Sequence, residues 1–122
     1  MNIKKILIVD DMAVARRILK SCIPRAEDYE FHEAEDGVKG LDAYRNIRPD
    51  VIFMDINMPN MDGMACLEQI IKVNPKAVVV MCSSEINPES SQKATSLGAF
   101  STIVKPPTKD SLLQVLAKIK DQ

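Results

Sequence analysis

The chain has 122 residues, a formal net charge of −1 and a pI near 5.8, which fits one domain without a basic nucleic-acid-binding face. Hydrophobic residues make up 46% of the chain, enough for a full core, and no stretch approaches the length of a membrane span. The cysteines are odd in number and form no CxxC pair, which favours a reducing compartment. We expect a single cytoplasmic domain over residues 1–122, with no output domain and no nucleic-acid or membrane partner.

The pattern of apolar residues predicts five strands that alternate with five helices. The strands are expected at about residues 4–9, 29–34, 51–54, 77–82 and 100–104. The first, third and fourth are continuous apolar runs, which indicates burial on both faces of a parallel sheet. The second strand alternates polar and apolar residues, as is typical of an edge strand with one face in water.

Apolar residues at helical spacing occupy the segments between these strands. The residues expected to face the core are Val14, Ile18, Leu19 and Cys22 in helix 1, Val38, Leu41 and Tyr44 in helix 2, Leu67, Ile70 and Ile71 in helix 3, and Leu112, Leu113, Leu116 and Ile119 in helix 5. Helix 4 is predicted to begin at Asn87-Pro88, a cap residue followed by proline. Thr108 is the predicted cap of helix 5.

Alternating strand–helix units imply right-handed crossovers with helices on both faces of one sheet. The predicted fold class is therefore α/β, a flavodoxin-like (βα)5 doubly wound parallel sheet with five strands in the order 2-1-3-4-5. This order places strand 1 centrally and strand 2 at an edge, in agreement with their apolar patterns.

Polar residues directly follow the apolar runs. They are Asp10 and Asp11 after strand 1, Asp55 after strand 3, Ser83 after strand 4 and Lys105 after strand 5. Because the carboxyl ends of parallel strands share one rim, where ligands bind in open α/β sheets, these side chains are expected to meet. The set predicts a site for a divalent metal and a phosphoryl group. Oxygen ligands favour Mg²⁺, with Ca²⁺ as the runner-up although no EF-hand loop is present.

Each of these residues also has a plainer explanation. Asp10 and Asp11 would favour the start of helix 1 as caps, Ser83 would be an ordinary loop hydroxyl, and Lys105 a solvated lysine. The occurrence of the whole set after successive apolar runs favours the site. Asp55 would need partners if buried, and it can attack phosphorus to give an aspartyl phosphate.

Taken together, these segments resemble the receiver domains of two-component response regulators, especially the stand-alone CheY-like type. The similar segments are Ile6–Asp11, Glu33–Gly37, Asp55–Gly63 and Lys105-Pro106, which span nearly the whole length. The resemblance implies that a histidine kinase phosphorylates Asp55 in a Mg²⁺-dependent reaction. It also implies a signalling switch, which catalyses only its own phosphorylation and slow dephosphorylation, and not an enzyme for an external substrate.

The resemblance assigns the metal ligands as Asp10, Asp11 and Asp55 together with the backbone carbonyl of Asn57. Ser83 matches the switch hydroxyl and Lys105 the phosphoryl-binding lysine, and the resemblance implies a cis bond before Pro106. The same comparison places Asn57 and Glu85 beside the path of attacking water, where both would tune hydrolysis of the phosphoryl group.

One position departs from the family pattern. Thr102 stands where receivers usually carry an aromatic switch residue, and Phe100 lies two residues earlier. Coupling would then run through Ser83 and the loop after strand 4, with Thr102 only packing. The face made by helix 4, strand 5 and helix 5 is the output surface implied by the resemblance. Its partner would be a target protein such as a flagellar motor, while a phosphatase and a histidine phosphotransfer protein are further implied partners.

Three other functions are alternatives to a signalling switch that acts on a target protein. The first is a phosphorelay intermediate that passes its phosphoryl group to a histidine phosphotransfer protein. The second is a haloacid-dehalogenase-type phosphohydrolase, which needs an Asp-x-Asp motif and a cap insertion, whereas Asp10 and Asp11 are adjacent. The third is a pseudo-receiver that never takes phosphate, against which the full set of site residues argues. The acidic segment Glu33–Asp36 is expected to be a solvated loop near the rim.

Overall fold

The computed structural model describes residues 1–25, 27–85 and 87–122. The elements alternate in the order β1 (Lys5–Val9), α1 (Ala13–Ser21), β2 (Glu30–Ala34), α2 (Gly37–Ile47), β3 (Val51–Asp55), α3 (Gly63–Val73), β4 (Val79–Ser83), α4 (Pro88–Ser96), β5 (Ser101–Val104) and α5 (Lys109–Lys120). All strand pairs are parallel, and the sheet order is β2-β1-β3-β4-β5. The predicted fold class and strand order are confirmed.

Helices cover both faces of the sheet because the central strands are apolar on both sides. Alternate residues of a strand point to opposite faces, and β1 shows this directly. Ile6 and Ile8 pack in a cluster with residues of α1 and α5, whereas Leu7 and Val9 pack in a cluster with residues of α2, α3 and α4. The two apolar layers hold the carboxyl ends of β1, β3 and β4 at one rim.

The predicted core faces of the helices are wrong at four positions, all of which are between 43% and 56% exposed: Val14, Ile18, Val38 and Leu113. In α2 the buried face includes Gly37 and Gly40 as well as Leu41 and Tyr44. Gly40 lies so close to β1 that an added Cβ would be 3.0 Å from a methyl carbon of Val9. In α5, Val115 is buried in place of Leu113.

The predicted starts of α4 and α5 are confirmed by their cap hydrogen bonds. The side chain of Asn87 accepts a hydrogen bond from the Ser90 N–H at 2.8 Å, and Pro88 is the first helical residue. Thr108 Oγ1 accepts from the Ser111 N–H at 3.0 Å. In each pair the backbone N–H of the cap residue donates in return to the serine hydroxyl oxygen, so both are capping boxes.

The edge of the sheet at β5 is short. Only four residues form this strand, and the Lys105–Pro106 peptide bond that follows it is cis, with Pro107 next. The three cysteines are free. Over the described ranges, none of the helices combines the length and the apolar character that a membrane crossing requires.

Candidate functional site

Three carboxylates meet at the carboxyl ends of β1 and β3. Asp10, Asp11 and Asp55 each offer an oxygen within 4.8 Å of the others. The register explains the proximity, because Val9 pairs with Met54 and the acidic residues follow directly on each strand. Asp10 and Asp55 are only 5% and 9% exposed, whereas Asp11 is exposed. The structure therefore brings together the three side chains that the sequence predicted as metal ligands.

Lys105 reaches this cluster from the far edge of the sheet. Its Nζ lies 2.6 Å from Asp10 Oδ2 and 3.1 Å from Asp55 Oδ1. The backbone N–H of Lys105 donates to the Ser83 carbonyl at 2.8 Å, which anchors the lysine to the end of β4. The ammonium thus bridges residues of two strands that are not its neighbours in the sheet.

The cluster carries more negative than positive charge, since one ammonium faces three carboxylates. Burial raises the pKa of Asp55, the hydrogen bond from Lys105 offsets part of this, and the charges of Asp10 and Asp11 raise it further. Burial lowers the pKa of Lys105, but its bonds to Asp10 and Asp55 outweigh burial and the net shift is upward. A divalent cation would balance this excess, and an all-oxygen donor set suits Mg²⁺.

The turn after β1 is held by three hydrogen bonds, each of which involves a backbone group. The Asp10 N–H donates to the Ala34 carbonyl at 3.1 Å, and the Met12 N–H donates to Asp10 Oδ1 at 3.0 Å. Arg16 Nη1 donates to the Asp10 carbonyl at 2.7 Å. Sequence reasoning missed Arg16, because nothing in the residue types links an arginine of α1 to a backbone carbonyl.

The loop after β3 is closed tightly against Asp55. The Gly63 N–H donates to the Ile56 carbonyl at 2.7 Å, and a Cβ added at Gly63 would lie 2.0 Å from the Asp55 carbonyl oxygen. Only glycine allows this approach, so α3 begins directly against the predicted phosphoacceptor. Asn57 is exposed in this loop, at a cleft shared with residues of α3 and α4.

The prediction of a solvated loop at Glu33–Asp36 is wrong for Asp36, which is 6% exposed. Its Oδ1 accepts from the Lys39 N–H at 2.8 Å and caps α2, while its Oδ2 accepts from Asn60 Nδ2 at 3.0 Å. These bonds lower the pKa of the Asp36 carboxyl. Asn60 has a left-handed backbone with φ of 66°. Asp36 therefore ties the β3–α3 loop to the start of α2.

Ser83 is buried at the end of β4, and its hydroxyl is held by the next loop. Ser83 Oγ donates to the Glu85 carbonyl at 3.2 Å and accepts from the Glu85 N–H at 3.1 Å. Glu85 itself is exposed. Ser83 thus lies at the rim as predicted, but its hydroxyl bonds to the backbone of Glu85. The Lys105 ammonium, in contrast, bonds to the clustered carboxylates.

Thr102 lies apart from the acidic cluster. It pairs in register with Met81, two residues before Ser83, and lines a groove between β5 and α5. Phe100 is partly buried against the apolar cluster that includes α5. Neither residue supplies a ring behind the hydroxyl of Ser83 in the arrangement seen here.

A family model described as the response regulator receiver domain matches residues 6–117. The chain belongs to this family. Among curated relatives, this receiver is 34% identical over 116 residues to the chemotaxis protein CheY of Thermotoga maritima, which covers 95% of the chain and 97% of that protein. The predicted resemblance is thereby confirmed.

The receiver is also 43% identical over 103 residues to protein-glutamate methylesterase/protein-glutamine glutaminase 3 of Rhodospirillum rubrum. That match covers 84% of this chain but 28% of the relative, so the similarity reaches only a part of that protein. The solved structure of chemotaxis protein CheY4 from Vibrio cholerae is 29% identical, with a TM-score of 0.87 over 97% of this chain and 99% of that one. The receiver is accordingly a response-regulator signalling module of CheY-like fold.

Proposed function

We propose that this receiver accepts a phosphoryl group on Asp55 from a histidine kinase in a Mg²⁺-dependent reaction and thereby switches the binding of a partner in chemotaxis-type signalling. The observation that carries the proposal is the cluster of Asp10, Asp11 and Asp55 within 4.8 Å, with the Lys105 ammonium bridging two of the three. Relatives named as chemotaxis proteins that align over most of their length support the pathway.

In this proposal Mg²⁺ would be held by Asp10, Asp11, Asp55 and the backbone carbonyl of Asn57, and once bound it would offset negative charge on the transferred phosphoryl oxygens. An Asp55 carboxylate oxygen attacks phosphorus, an O–P bond forms, and the P–N bond to the donor imidazole breaks. The imidazole keeps the electron pair of that bond and is protonated. Lys105, already 3.1 Å from Asp55 Oδ1, donates to the arriving phosphoryl group.

The acyl phosphate carries about 1.5 to 2 negative charges, in place of the single charge of the Asp55 carboxylate, close to Ser83. The hydroxyl then exchanges its bond with Glu85 for a bond to a phosphoryl oxygen, and the loop between β4 and α4 moves with it. The face formed by α4, β5 and α5 reports the change to a target protein. Because position 102 is threonine, the movement passes through this loop without an aromatic ring.

Hydrolysis of the phosphoryl group is tuned by Asn57 and Glu85 in this proposal. Both side chains are exposed and follow Asp55 and Ser83 at a spacing of two residues. Asn57→Ala and Glu85→Ala are each expected to change the phosphate lifetime by a measurable factor. Unchanged lifetimes in both variants would remove this part of the proposal.

The test is incubation with Mg²⁺ and acetyl phosphate, followed by intact-mass measurement and peptide mapping after borohydride reduction. One phosphoryl group is expected, at Asp55, and Asp55→Asn abolishes it. Asp42→Asn is the matched control, since Asp42 is an exposed carboxylate in α2. A phosphoryl group located at any other residue contradicts the proposal. Capture of partners with and without beryllofluoride then separates a target protein from a histidine phosphotransfer protein.

A further inference from the structure

We propose that Arg16 is a positioning residue that holds the Asp10–Asp11 peptide in the orientation required for Mg²⁺ binding. The inference rests on the metal-dependent function proposed above and deepens it. Arg16 touches none of the three clustered carboxylates by hydrogen bond in the described structure, and acts on them through the backbone.

The guanidinium of Arg16 joins three elements. Its Nη1 donates to the Asp10 carbonyl at the end of β1 at 2.7 Å, and its Nε donates to Glu33 Oε1 on β2 at 2.8 Å. The side chain is 16% exposed, and Lys20 contacts the other oxygen of Glu33 at 3.2 Å. Glu33 thus fixes the direction in which the planar guanidinium presents its other N–H groups to Asp10.

The Asp10 carbonyl matters because it belongs to the peptide unit that links the two acidic residues. This unit is planar, so a bond to its oxygen also sets the direction in which the chain enters Asp11. Consecutive side chains of a strand point to opposite faces, and both carboxylates must nevertheless face one cation. The preceding peptide is fixed as well, by the Asp10 N–H bond to the Ala34 carbonyl at 3.1 Å.

The charge of Arg16 acts in the opposite direction to its positioning role. A cation near three carboxylates weakens the binding of a second cation, so removal of the charge alone would strengthen Mg²⁺ binding. Loss of the backbone bond frees the peptide and weakens binding instead. The sign of the change in Mg²⁺ affinity therefore separates the two effects.

The experiment is a Mg²⁺ titration of the unphosphorylated protein, followed by backbone amide resonances. Arg16→Met is expected to weaken Mg²⁺ binding roughly tenfold, in the range found when groups that orient metal ligands are removed. Arg17→Met removes the same charge from an exposed position in α1 and sets the electrostatic baseline, with unchanged or slightly tighter binding. Mg²⁺ binding by Arg16→Met that equals or exceeds that of Arg17→Met overturns the proposal.

Two further variants keep the test valid if Arg16→Met folds poorly, which thermal unfolding will show. Arg16→Lys keeps the charge but cannot make both directed bonds, and it is expected to bind Mg²⁺ almost as weakly as Arg16→Met. Glu33→Gln weakens the anchor of the guanidinium and is expected to cause a smaller loss. Native affinity in both variants contradicts the positioning role.

Phosphorylation provides a second readout. In Arg16→Lys the Mg²⁺ concentration for half-maximal phosphorylation by acetyl phosphate is expected to rise, while the rate at saturating Mg²⁺ stays near the native value. A lower saturating rate with an unchanged half-maximal concentration contradicts the inference. If no variant or native protein takes a phosphoryl group but Arg16→Met still weakens Mg²⁺ binding, the proposed function fails and the positioning role stands.

Discussion

The hydroxyl of Ser83 and the backbone of Glu85 hydrogen-bond in both directions, at 3.2 Å to the carbonyl and 3.1 Å from the N–H. A phosphoryl oxygen that accepts a hydrogen bond from this hydroxyl must replace the Glu85 carbonyl as its acceptor. Ser83→Ala is therefore expected to leave modification of Asp55 by beryllofluoride intact but to abolish most of the amide shift changes at Ser84 and Glu85. Ser83→Thr, which keeps the hydroxyl, is the control and should retain them. Equal shift changes in Ser83→Ala and native protein would contradict this coupling.

Asp55→Asn is expected to stabilise the metal-free protein by about 1 kcal/mol at neutral pH, as is common where a functional group is held at a cost in stability. Burial and the neighbouring carboxylates raise the native pKa of Asp55 above its ordinary value of 3.8. The unfolded state has the ordinary pKa and the native state has the raised one. At a pH between the two, the native state binds more protons than the unfolded state, so the free energy of unfolding falls as pH rises through that range.

The measurement for Asp55→Asn is urea unfolding at several pH values without metal. The gain in stability over the native protein should be present at neutral pH and disappear below the ordinary carboxyl pKa, where Asp55 is protonated in both states. Asp42→Asn, at an exposed position, should show no such pH dependence. A gain in Asp55→Asn that is constant over the whole pH range would refute the explanation.

Lys105→Met removes the ammonium that is bonded to Asp10 and Asp55. Without metal, the loss of one partner from this partly buried group is expected to lower the free energy of unfolding by roughly 3 kcal/mol. Mg²⁺ should bind more tightly to Lys105→Met and recover part of the lost stability, because it then faces the carboxylates without a competing cation. Denaturant unfolding with and without Mg²⁺ measures both effects.

The control for this variant is Lys109→Met, the same loss of charge at an exposed position of α5. Its stability and Mg²⁺ affinity should stay close to the native values. Weaker Mg²⁺ binding by Lys105→Met than by this control would show that the ammonium organises the carboxylates more than it competes with the cation.

Gly63→Ala is expected to destabilise the protein by about 3 kcal/mol, the upper range for forcing a methyl group into a packed site. The new Cβ would lie 2.0 Å from the Asp55 carbonyl oxygen and 2.8 Å from the Ile56 Cα, and backbone atoms yield little. Gly40→Ala is the comparison, because its Cβ would meet side-chain atoms and no backbone atom among its nearest neighbours, with Val9 at 3.0 Å and Cys66 Sγ at 3.6 Å. Thermal unfolding measures the loss of stability in both variants. A smaller loss of stability in Gly63→Ala than in Gly40→Ala would contradict the prediction.

Strands β1, β3 and β4 followed from continuous apolar runs, because a strand buried on both faces needs apolar residues at every position. The strand order followed from the alternation of strands and helices. Asp55 was predictable as a site residue because an acid that directly follows such a run needs partners if it is buried. The helix faces were less predictable. Val38 fits the same helical spacing as Leu41 and Tyr44, but it is 45% exposed, because the buried face of α2 includes Gly37 and Gly40 instead.

The contacts that sequence reasoning missed are mostly bonds between a side chain and a backbone group. Every residue carries a carbonyl and nearly all carry an N–H, so the partner of Arg16 on Asp10 or of Ser83 on Glu85 leaves no mark in the residue types. The bond between Asp36 and Asn60 is different, since both partners are polar side chains, but 24 positions separate them in the chain. Only the folded loop brings them together.

The brevity of β5 has a consequence for behaviour in crowded solution. An edge strand has unpaired backbone N–H and C=O groups to which a strand of another molecule can hydrogen-bond. Long, flat edge strands therefore promote aggregation. Here the edge strand β5 has four residues, and two prolines without an N–H, Pro106 and Pro107, lie two and three positions after its end. Another polypeptide can therefore form only a few backbone hydrogen bonds with β5, which disfavours aggregation through this edge of the sheet.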